Sequence, residues 1–128
     1  MGILFLTVDE ILEIHRDQID RYGGDPAIRD IRLLESAQAM PCMGLADDYV
    51  HKDIFEMAAA YLFHITQNHP FVDGNKRTGA AAALVFLAMN DLELEVDESA
   101  FESLVREVAG GRLDKAAVAE FIRKYCQA

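Results

Sequence analysis

The segment HPFVDGNKRT, residues 69–78, lies where the two most apolar stretches of the chain meet. Pro70 lacks a backbone donor and disfavours helix in the residue before it, so the first stretch, residues 52–67, should end here. The second stretch, residues 75–90, is apolar on nearly all sides after its first turn, which is typical of a buried helix. We therefore predict two packed helices joined by this loop, with residues 75–90 as the buried central helix.

Capping residues and helix breakers divide the rest of the chain into further short helices. Thr7 and Glu10 have the spacing of a capping box, and Gly23-Gly24 can end the helix that follows. Asp30 can cap a second helix, which Pro41 terminates. The other helices are predicted at residues 7–22 and 30–39, from Asp97 or Ser99 to Val108, and from a cap at Asp114 to Tyr125.

The connections are short and carry little regular structure of their own. Residues 92–96 alternate between apolar and charged side chains, which predicts a short extended piece. Residues 43–51 mix glycine, aspartate and tyrosine and are predicted to form a loop. The sequence therefore predicts an all-α bundle of five or six helices, in a single domain that covers residues 1–128.

Composition and charge exclude several classes of function. The 128 residues carry a formal net charge of −10, which opposes direct binding to nucleic acid or to an anionic membrane surface. The longest apolar run, residues 80–89, is too short to span a membrane, and the N-terminal residues lack the basic region of a signal peptide. The two cysteines, Cys42 and Cys126, form neither a metal-binding nor a redox motif. We therefore expect a cytoplasmic protein that has no membrane partner.

Residues 74–77 have the chemistry of an anion-binding helix N-terminus. Gly74 lets a ligand approach the backbone, the free N–H groups of the first turn attract anions, and Asn75 offers an amide donor. Lys76 and Arg77 are unfavourable in a first helical turn, because the helix dipole is positive there. A bound polyanion such as a phosphate chain would reverse that penalty.

Two further side chains of the same segment complete a reactive arrangement. His69 is able to accept a proton near neutral pH, and Asp73 is suited to hold Mg²⁺ together with phosphate oxygens. Taken singly, a histidine at a helix end and an aspartate before glycine are usually structural. Taken together with the anion site, they indicate phosphoryl or nucleotidyl transfer.

The whole segment, residues 69–78, resembles the signature HxFx(D/E)GN(G/K)R of the Fic/Doc superfamily, and within it the Doc (death-on-curing) toxins. The resemblance extends to residues 21–24, 29–37 and 55–61, and so covers nearly the whole chain. It implies the compact Fic/Doc-type helical fold. Phe71 is assigned to the core, where it would anchor the motif loop.

The resemblance also implies roles for the motif residues. His69 would be the general base, Asp73 would bind Mg²⁺, and the phosphates of ATP would be held by the four residues that follow, namely Gly74, Asn75, Lys76 and Arg77. The implied reaction is transfer of the ATP γ-phosphate to a hydroxyl of a translation factor, elongation factor Tu by resemblance, which would halt translation.

Departures from the Fic pattern bear on which group is transferred. Lys76 stands where Fic adenylyl transferases have a second glycine, and Ala80 stands where they usually have a second arginine; both differences are Doc-like. Pro70 and Gly74 match the commoner Fic form. Transfer of AMP is therefore the alternative reaction, and a non-catalytic binding module of the same fold is the alternative outside enzymes.

Regulation by a separate protein is implied as well. Doc toxins are held inactive by a Phd-like antitoxin, whose C-terminal segment folds on the toxin. Ser103 and Glu107 have the spacing of the superfamily's inhibitory helix, but Val108 follows in place of Gly or Asn, so we expect an inhibitor supplied in trans. Residues 43–49 are assigned to the flap that guides the target chain. Of the remaining histidines, His15 and His64 are predicted to lie in the core or at its edge, and His51 is predicted to be exposed.

Overall fold

The computed structural model describes residues 2–46 and 48–127. Within them the chain forms six helices and two short antiparallel strand pairs. The helices are α1 (Val8–Tyr22), α2 (Ile31–Ala39), α3 (Ile54–Asn68), α4 (Asn75–Met89), α5 (Glu98–Ala109) and α6 (Lys115–Tyr125). The strands are β1 (Gly44–Leu45), β2 (Asp48–Tyr49), β3 (Glu93–Leu94) and β4 (Cys126–Gln127). The all-α prediction is confirmed.

Side-chain caps set the starts of the helices close to their predicted positions. Thr7 and Glu10 close the capping box of α1: the Thr7 hydroxyl accepts from the Glu10 N–H at 3.1 Å, and the Glu10 carboxylate accepts from the Thr7 N–H at 2.9 Å. Aspartate side chains cap α2, α3 and α6, at Asp30, Asp53 and Asp114. Each satisfies a backbone donor that a helix leaves unpaired at its N-terminus.

The most enclosed helix is α3 rather than α4. Every residue from Met57 to Leu62 is buried, because α3 packs against α2, α4, α5 and α6. Helix α4 buries only one side, while Leu84 and Val85 keep 39% and 38% of their surface exposed. The helices α3 and α4 approach closely at Gly79, where a Cβ atom would lie 2.7 Å from Thr66 Oγ1.

The connections contain more pairing than the sequence predicted. Residues 43–51 were predicted as a loop, but Gly44 pairs with Tyr49 and Leu45 with Asp48 in the β1–β2 hairpin. Strands of two residues carry too little alternation to be recognised in a sequence. The extended piece predicted at residues 92–96 is confirmed as β3, which pairs with β4 near the end of the chain.

One histidine differs from its predicted exposure. His51 was predicted to be exposed, but it is buried and only 4% of its surface is exposed. Burial lowers the pKa of this imidazole, and the nearby Lys115 charge acts in the same direction.

Among the helices of residues 2–46 and 48–127, none combines the length and the hydropathy that a membrane crossing requires.

Candidate active site

The motif loop runs from the end of α3 to the start of α4, over residues 69–74. His69 follows the last residue of α3 in the left-handed conformation, with φ 54° and ψ 53°, and its side chain is exposed. Gly74 precedes α4 with φ 83° and makes no side-chain cap. The N–H groups of the first turn of α4 therefore stay free of a side-chain cap, which leaves them available to an anion.

The side chain of Asn75 holds the motif loop together. It is 4% exposed, accepts from the Phe71 N–H at 2.9 Å and donates to the Phe71 carbonyl at 2.9 Å. The expected amide donor is thus engaged by the backbone, and the backbone N–H is the part of Asn75 left for a ligand. Phe71 is fully buried, in agreement with its assignment to the core.

His15 of α1 packs against the motif loop and supports it. Its ring stacks on Phe71 with centroids 3.7 Å apart and planes 5° apart. Its Nε2 atom lies 2.8 Å from the Asp73 carbonyl oxygen, and since a carbonyl can only accept, Nε2 carries the hydrogen. Burial is the main cause that lowers the pKa of His15. The predicted position of His15 in the core is confirmed, and its contact with the motif was not foreseen.

The segment between α1 and α2 pairs with the motif loop along its length. The Pro70 carbonyl accepts from the N–H groups of Arg29 at 2.7 Å and of Asp30 at 3.0 Å, and the Val72 N–H donates to the Ala27 carbonyl at 3.0 Å. One Asp73 carboxylate oxygen accepts from the Asp25 N–H at 2.8 Å. Sequence reasoning missed this support, although residues 29–37 formed part of the family resemblance.

The two cations of the motif have different surroundings. Lys76 is exposed. Arg77 donates to the carbonyls of Gly23 at 3.0 Å and of Gln18 at 3.4 Å, and its guanidinium lies 5.6 Å from the centre of the Tyr22 ring. Part of its electrostatic cost in α4 is offset, because it faces the C-terminal end of α1.

A cleft of about 620 Å³ opens beside the N-terminal half of α4. Its walls come from α1, α4 and α5, and its lining includes Gly74, Asn75, Lys76 and Arg77. Glu98, Glu102 and Arg106 of α5 form part of the opposite wall. The structure thus brings the predicted phosphate-binding residues to one cleft, while His69 and Asp73 lie on the adjoining loop and do not line it.

Asp73 is the candidate metal ligand of the site. Its side chain is exposed, and one oxygen is bound by the Asp25 N–H. Across residues 2–46 and 48–127, no three His, Cys, Asp or Glu side chains are grouped to hold a metal ion. A single carboxylate fits Mg²⁺ that is bound mainly through substrate phosphates, because Mg²⁺ commonly uses one or two carboxylates in such sites.

The α5 residues with inhibitory-helix spacing do not reach this cleft. The Glu107 carboxylate pairs with the Arg112 guanidinium at 2.6 Å, and neither Ser103 nor Glu107 contributes to the lining. Ser103 is exposed and Glu107 is half-buried.

Comparison with known proteins identifies the class. Residues 5–87, which include α1 to α3, the motif loop and all but the last two residues of α4, match the model of the Fic/DOC family. The chain belongs to this family. It is 37% identical over 100 residues to Toxin Doc of Mycolicibacterium smegmatis (strain ATCC 700084 / mc(2)155), with 77% of each chain covered. It is 30% identical over 119 residues to Protein kinase doc of Escherichia phage P1, with 93% of each chain covered.

Proposed function

We propose that this protein is the toxin of a toxin–antitoxin pair and that it transfers the γ-phosphate of ATP to a hydroxyl of a translation factor, with elongation factor Tu as the target. The observation that carries the proposal is the N-terminus of α4, which has no side-chain cap and is flanked in the sequence by two exposed residues, Asp73 and Lys76. The name of the phage P1 relative, Protein kinase doc, supports phosphate transfer as the reaction.

In this proposal the first turn of α4 binds the phosphates. The first intrahelical bond runs from the Thr78 N–H to the Gly74 carbonyl, so the preceding N–H groups have no acceptor within the helix. These donors and the helix dipole attract phosphate oxygens. Lys76 adds an exposed charge, and Arg77 adds a charge held in place by the end of α1.

Asp73 would hold Mg²⁺ through its carboxylate, with phosphate oxygens as the other ligands. The ion would neutralise the charge that develops on the phosphates during transfer. Asp73 is held for this role at two points, since His15 binds its carbonyl and the Asp25 N–H binds its carboxylate.

His69 would act as the general base. In the proposed step its imidazole takes the proton of the acceptor hydroxyl while that oxygen bonds to the γ-phosphorus. The bond between the γ-phosphorus and the bridging oxygen breaks, and ADP leaves. The exposed position of His69 leaves it accessible to a protein substrate.

AMP transfer is the second candidate reaction. The cleft continues along α4 past Ala80 and Leu84, and its volume of about 620 Å³ suits a nucleotide lying in either direction. The direction decides whether the α- or the γ-phosphorus faces the acceptor. A non-catalytic binding module is the third candidate, and it predicts no transfer at all.

Partners and organisation belong to the same proposal. We propose a Phd-like antitoxin as the inhibitor, and the net charge of −10 favours a basic partner segment. The β1–β2 hairpin, whose Leu45 is 85% exposed, is the proposed guide for the target chain.

We also propose a cytoplasmic location and a single domain over residues 1–128. One apolar cluster that includes Leu6 and Ile122 supports the single domain.

The deciding experiment is transfer of radiolabel to purified elongation factor Tu and, in parallel, to a cell extract. With γ-³²P-ATP we expect one labelled band, and with α-³²P-ATP none. Label from the α position alone would replace phosphate transfer by AMP transfer. Absence of label in both samples, with folded protein free of antitoxin, would favour the binding module.

The variant that tests the proposed base is His69→Ala. We expect it to lower transfer at least about a hundredfold, the usual contribution of a general base, without change in melting temperature, because the side chain is exposed. Asp91→Asn, an exposed aspartate beyond the other end of α4, is the matched control for the assay and should keep full activity. Transfer by His69→Ala at the wild-type rate would rule out the assigned role.

A further inference from the structure

The Arg29 guanidinium is bound to the end of α3, next to the proposed base. Its Nε donates to the His69 carbonyl at 2.7 Å, and its Nη2 donates to the Asn68 carbonyl at 2.9 Å. These residues are 40 and 39 positions away in the sequence. A single side chain therefore connects the segment before α2 to the carbonyls on both sides of the turn out of α3.

This contact meets two physical needs of the helix end. The last carbonyls of a helix have no partner within it, and the negative end of the helix dipole favours a cation there. The planar guanidinium offers donors in a fixed fork, so it can hold two neighbouring carbonyls at once. Lysine would offer a similar charge without the fork.

The backbone of His69 needs such support. Its φ of 54° lies in the left-handed region, which residues other than glycine rarely adopt. The peptide on its C-terminal side carries the carbonyl that Arg29 holds, and the Pro70 carbonyl that follows is held by two backbone N–H groups of the same segment. The backbone sets the direction in which the His69 side chain leaves it, because the tetrahedral geometry at Cα fixes Cβ relative to the N, Cα and C atoms of the same residue.

We infer that Arg29 is a positioning residue for His69: it holds the left-handed turn at the end of α3 and thereby directs the imidazole. The inference rests on the proposed function for its kinetic consequence, whereas its structural part is independent of any reaction. Arg29 is assigned to neither nucleotide nor metal binding and acts only through His69.

A matched control lies three residues further on. The Arg32 side chain is 87% exposed and pairs with Asp30 at 3.4 Å, without contact to the motif loop. Arg29→Met keeps most of the apolar stem and removes the donors, and Arg32→Met makes the same change away from the site. Arg29→Lys keeps the charge and removes the fork.

The structural test uses the histidine ring signals in ¹H–¹³C NMR spectra, with His69 assigned by its absence in His69→Gln. We expect the His69 signal to shift or broaden in Arg29→Met, with an intermediate change in Arg29→Lys and none in Arg32→Met. The signals of His15 and His64 should stay in place, which shows that the fold is retained. An unchanged His69 signal in Arg29→Met would overturn the inference. If that variant does not fold, the same outcome in Arg29→Lys would overturn it.

The kinetic test separates orientation from binding. We expect Arg29→Met to lower kcat roughly ten- to a hundredfold, with the KM for ATP unchanged, because misplacing a reacting group affects the rate far more than nucleotide binding. A raised KM with unchanged kcat would instead assign Arg29 to nucleotide binding. If the wild-type protein transfers no phosphate, the proposed function fails, and the NMR result alone still decides the role of Arg29.

Discussion

The side chain of Asn75 uses both of its hydrogen-bonding ends on the backbone of Phe71. From the sequence, an asparagine that follows a glycine at the start of a helix could equally donate to a ligand. Only the orientation of its side chain distinguishes ligand binding from support of the loop backbone. Arg77 is similar, because its donors reach the carbonyls of Gly23 and Gln18. At the scale of single residues, the motif therefore contains side chains that build the site and others that remain free to bind.

Replacing Asn75 should destabilise the fold strongly. In Asn75→Ala the buried N–H and carbonyl of Phe71 lose their partner, and each unsatisfied group costs about 1–3 kcal/mol. We expect a loss of about 2–6 kcal/mol in the free energy of unfolding, measured by urea denaturation. Asn68→Ala, which removes one bond to the Leu33 carbonyl, should cost less. Equal losses in the two variants would contradict the assigned role.

Variants of Lys76 and Arg77 should differ in how they affect ATP binding and fold stability. Lys76→Ala is expected to raise the KM for ATP about tenfold, the equivalent of one charge-assisted contact, with an unchanged melting temperature. Arg77→Ala should weaken ATP binding and also lower the stability by about 1 kcal/mol, because it removes the bonds to the end of α1. The comparison uses initial rates and thermal melts of the same preparations. Loss of stability in Lys76→Ala would show that its side chain also supports the fold.

At the scale of elements, the site depends on how closely α3 and α4 approach. Gly79 allows the approach, since a Cβ atom there would meet Thr66 Oγ1 at 2.7 Å and the Leu62 carbonyl at 3.0 Å. The motif loop spans the ends of these two helices, so their separation sets the distance that the loop must bridge. A glycine within a helix is otherwise unfavourable, which indicates that packing outweighs helix propensity here.

Gly79→Ala should therefore destabilise the protein although alanine is the better helix former. We expect a loss of about 1–3 kcal/mol from overpacking, measured by chemical denaturation. Helix propensity alone predicts a gain of about 1 kcal/mol. Ala88→Gly, at an exposed position of the same helix, should lower stability by about 1 kcal/mol through propensity alone. A stabilised Gly79→Ala would mean that α3 and α4 can separate freely.

At the scale of the whole molecule, buried histidines make the fold sensitive to acid. Burial lowers the pKa of His15, of His51 and of His64, the last to about 4. Lys115, whose Nζ lies 3.0 Å from the His64 Nε2, adds to the shift because its charge opposes protonation. The folded protein therefore takes up fewer protons than the unfolded chain as the pH falls.

Stability should decline as the pH falls through about 6.5, the ordinary pKa of histidine in the unfolded chain. The contribution of neutral His64 to the free energy of unfolding is complete above that pH. It is lost progressively as the pH falls towards about 4, where His64 of the folded state also binds a proton. Urea midpoints between pH 7.5 and pH 5.5 measure the slope. We expect a shallower slope in His64→Gln, whatever its stability at pH 7.5. An identical slope in variant and wild type would assign the acid sensitivity to other groups.

The sequence by itself determined the features that depend on near neighbours. The capping box at Thr7, the aspartate caps and the break at Pro70 act within one helical turn, so the helix boundaries were predicted to within about two residues. The motif of residues 69–78 was also local, and it placed the free helix N-terminus and its cations without any tertiary information.

Only the tertiary structure decided which side chains support that motif. Arg29 meets His69 across 40 positions and His15 meets Asp73 across 58, and no periodicity or cap records such contacts. The burial of His51 and the central place of α3 likewise follow from how the helices pack, not from their own apolar content. Hydrophobic attraction has no direction, so an apolar helix such as α4 is free to lie at the edge of a cleft, and the geometry of its neighbours decides which of its sides is buried.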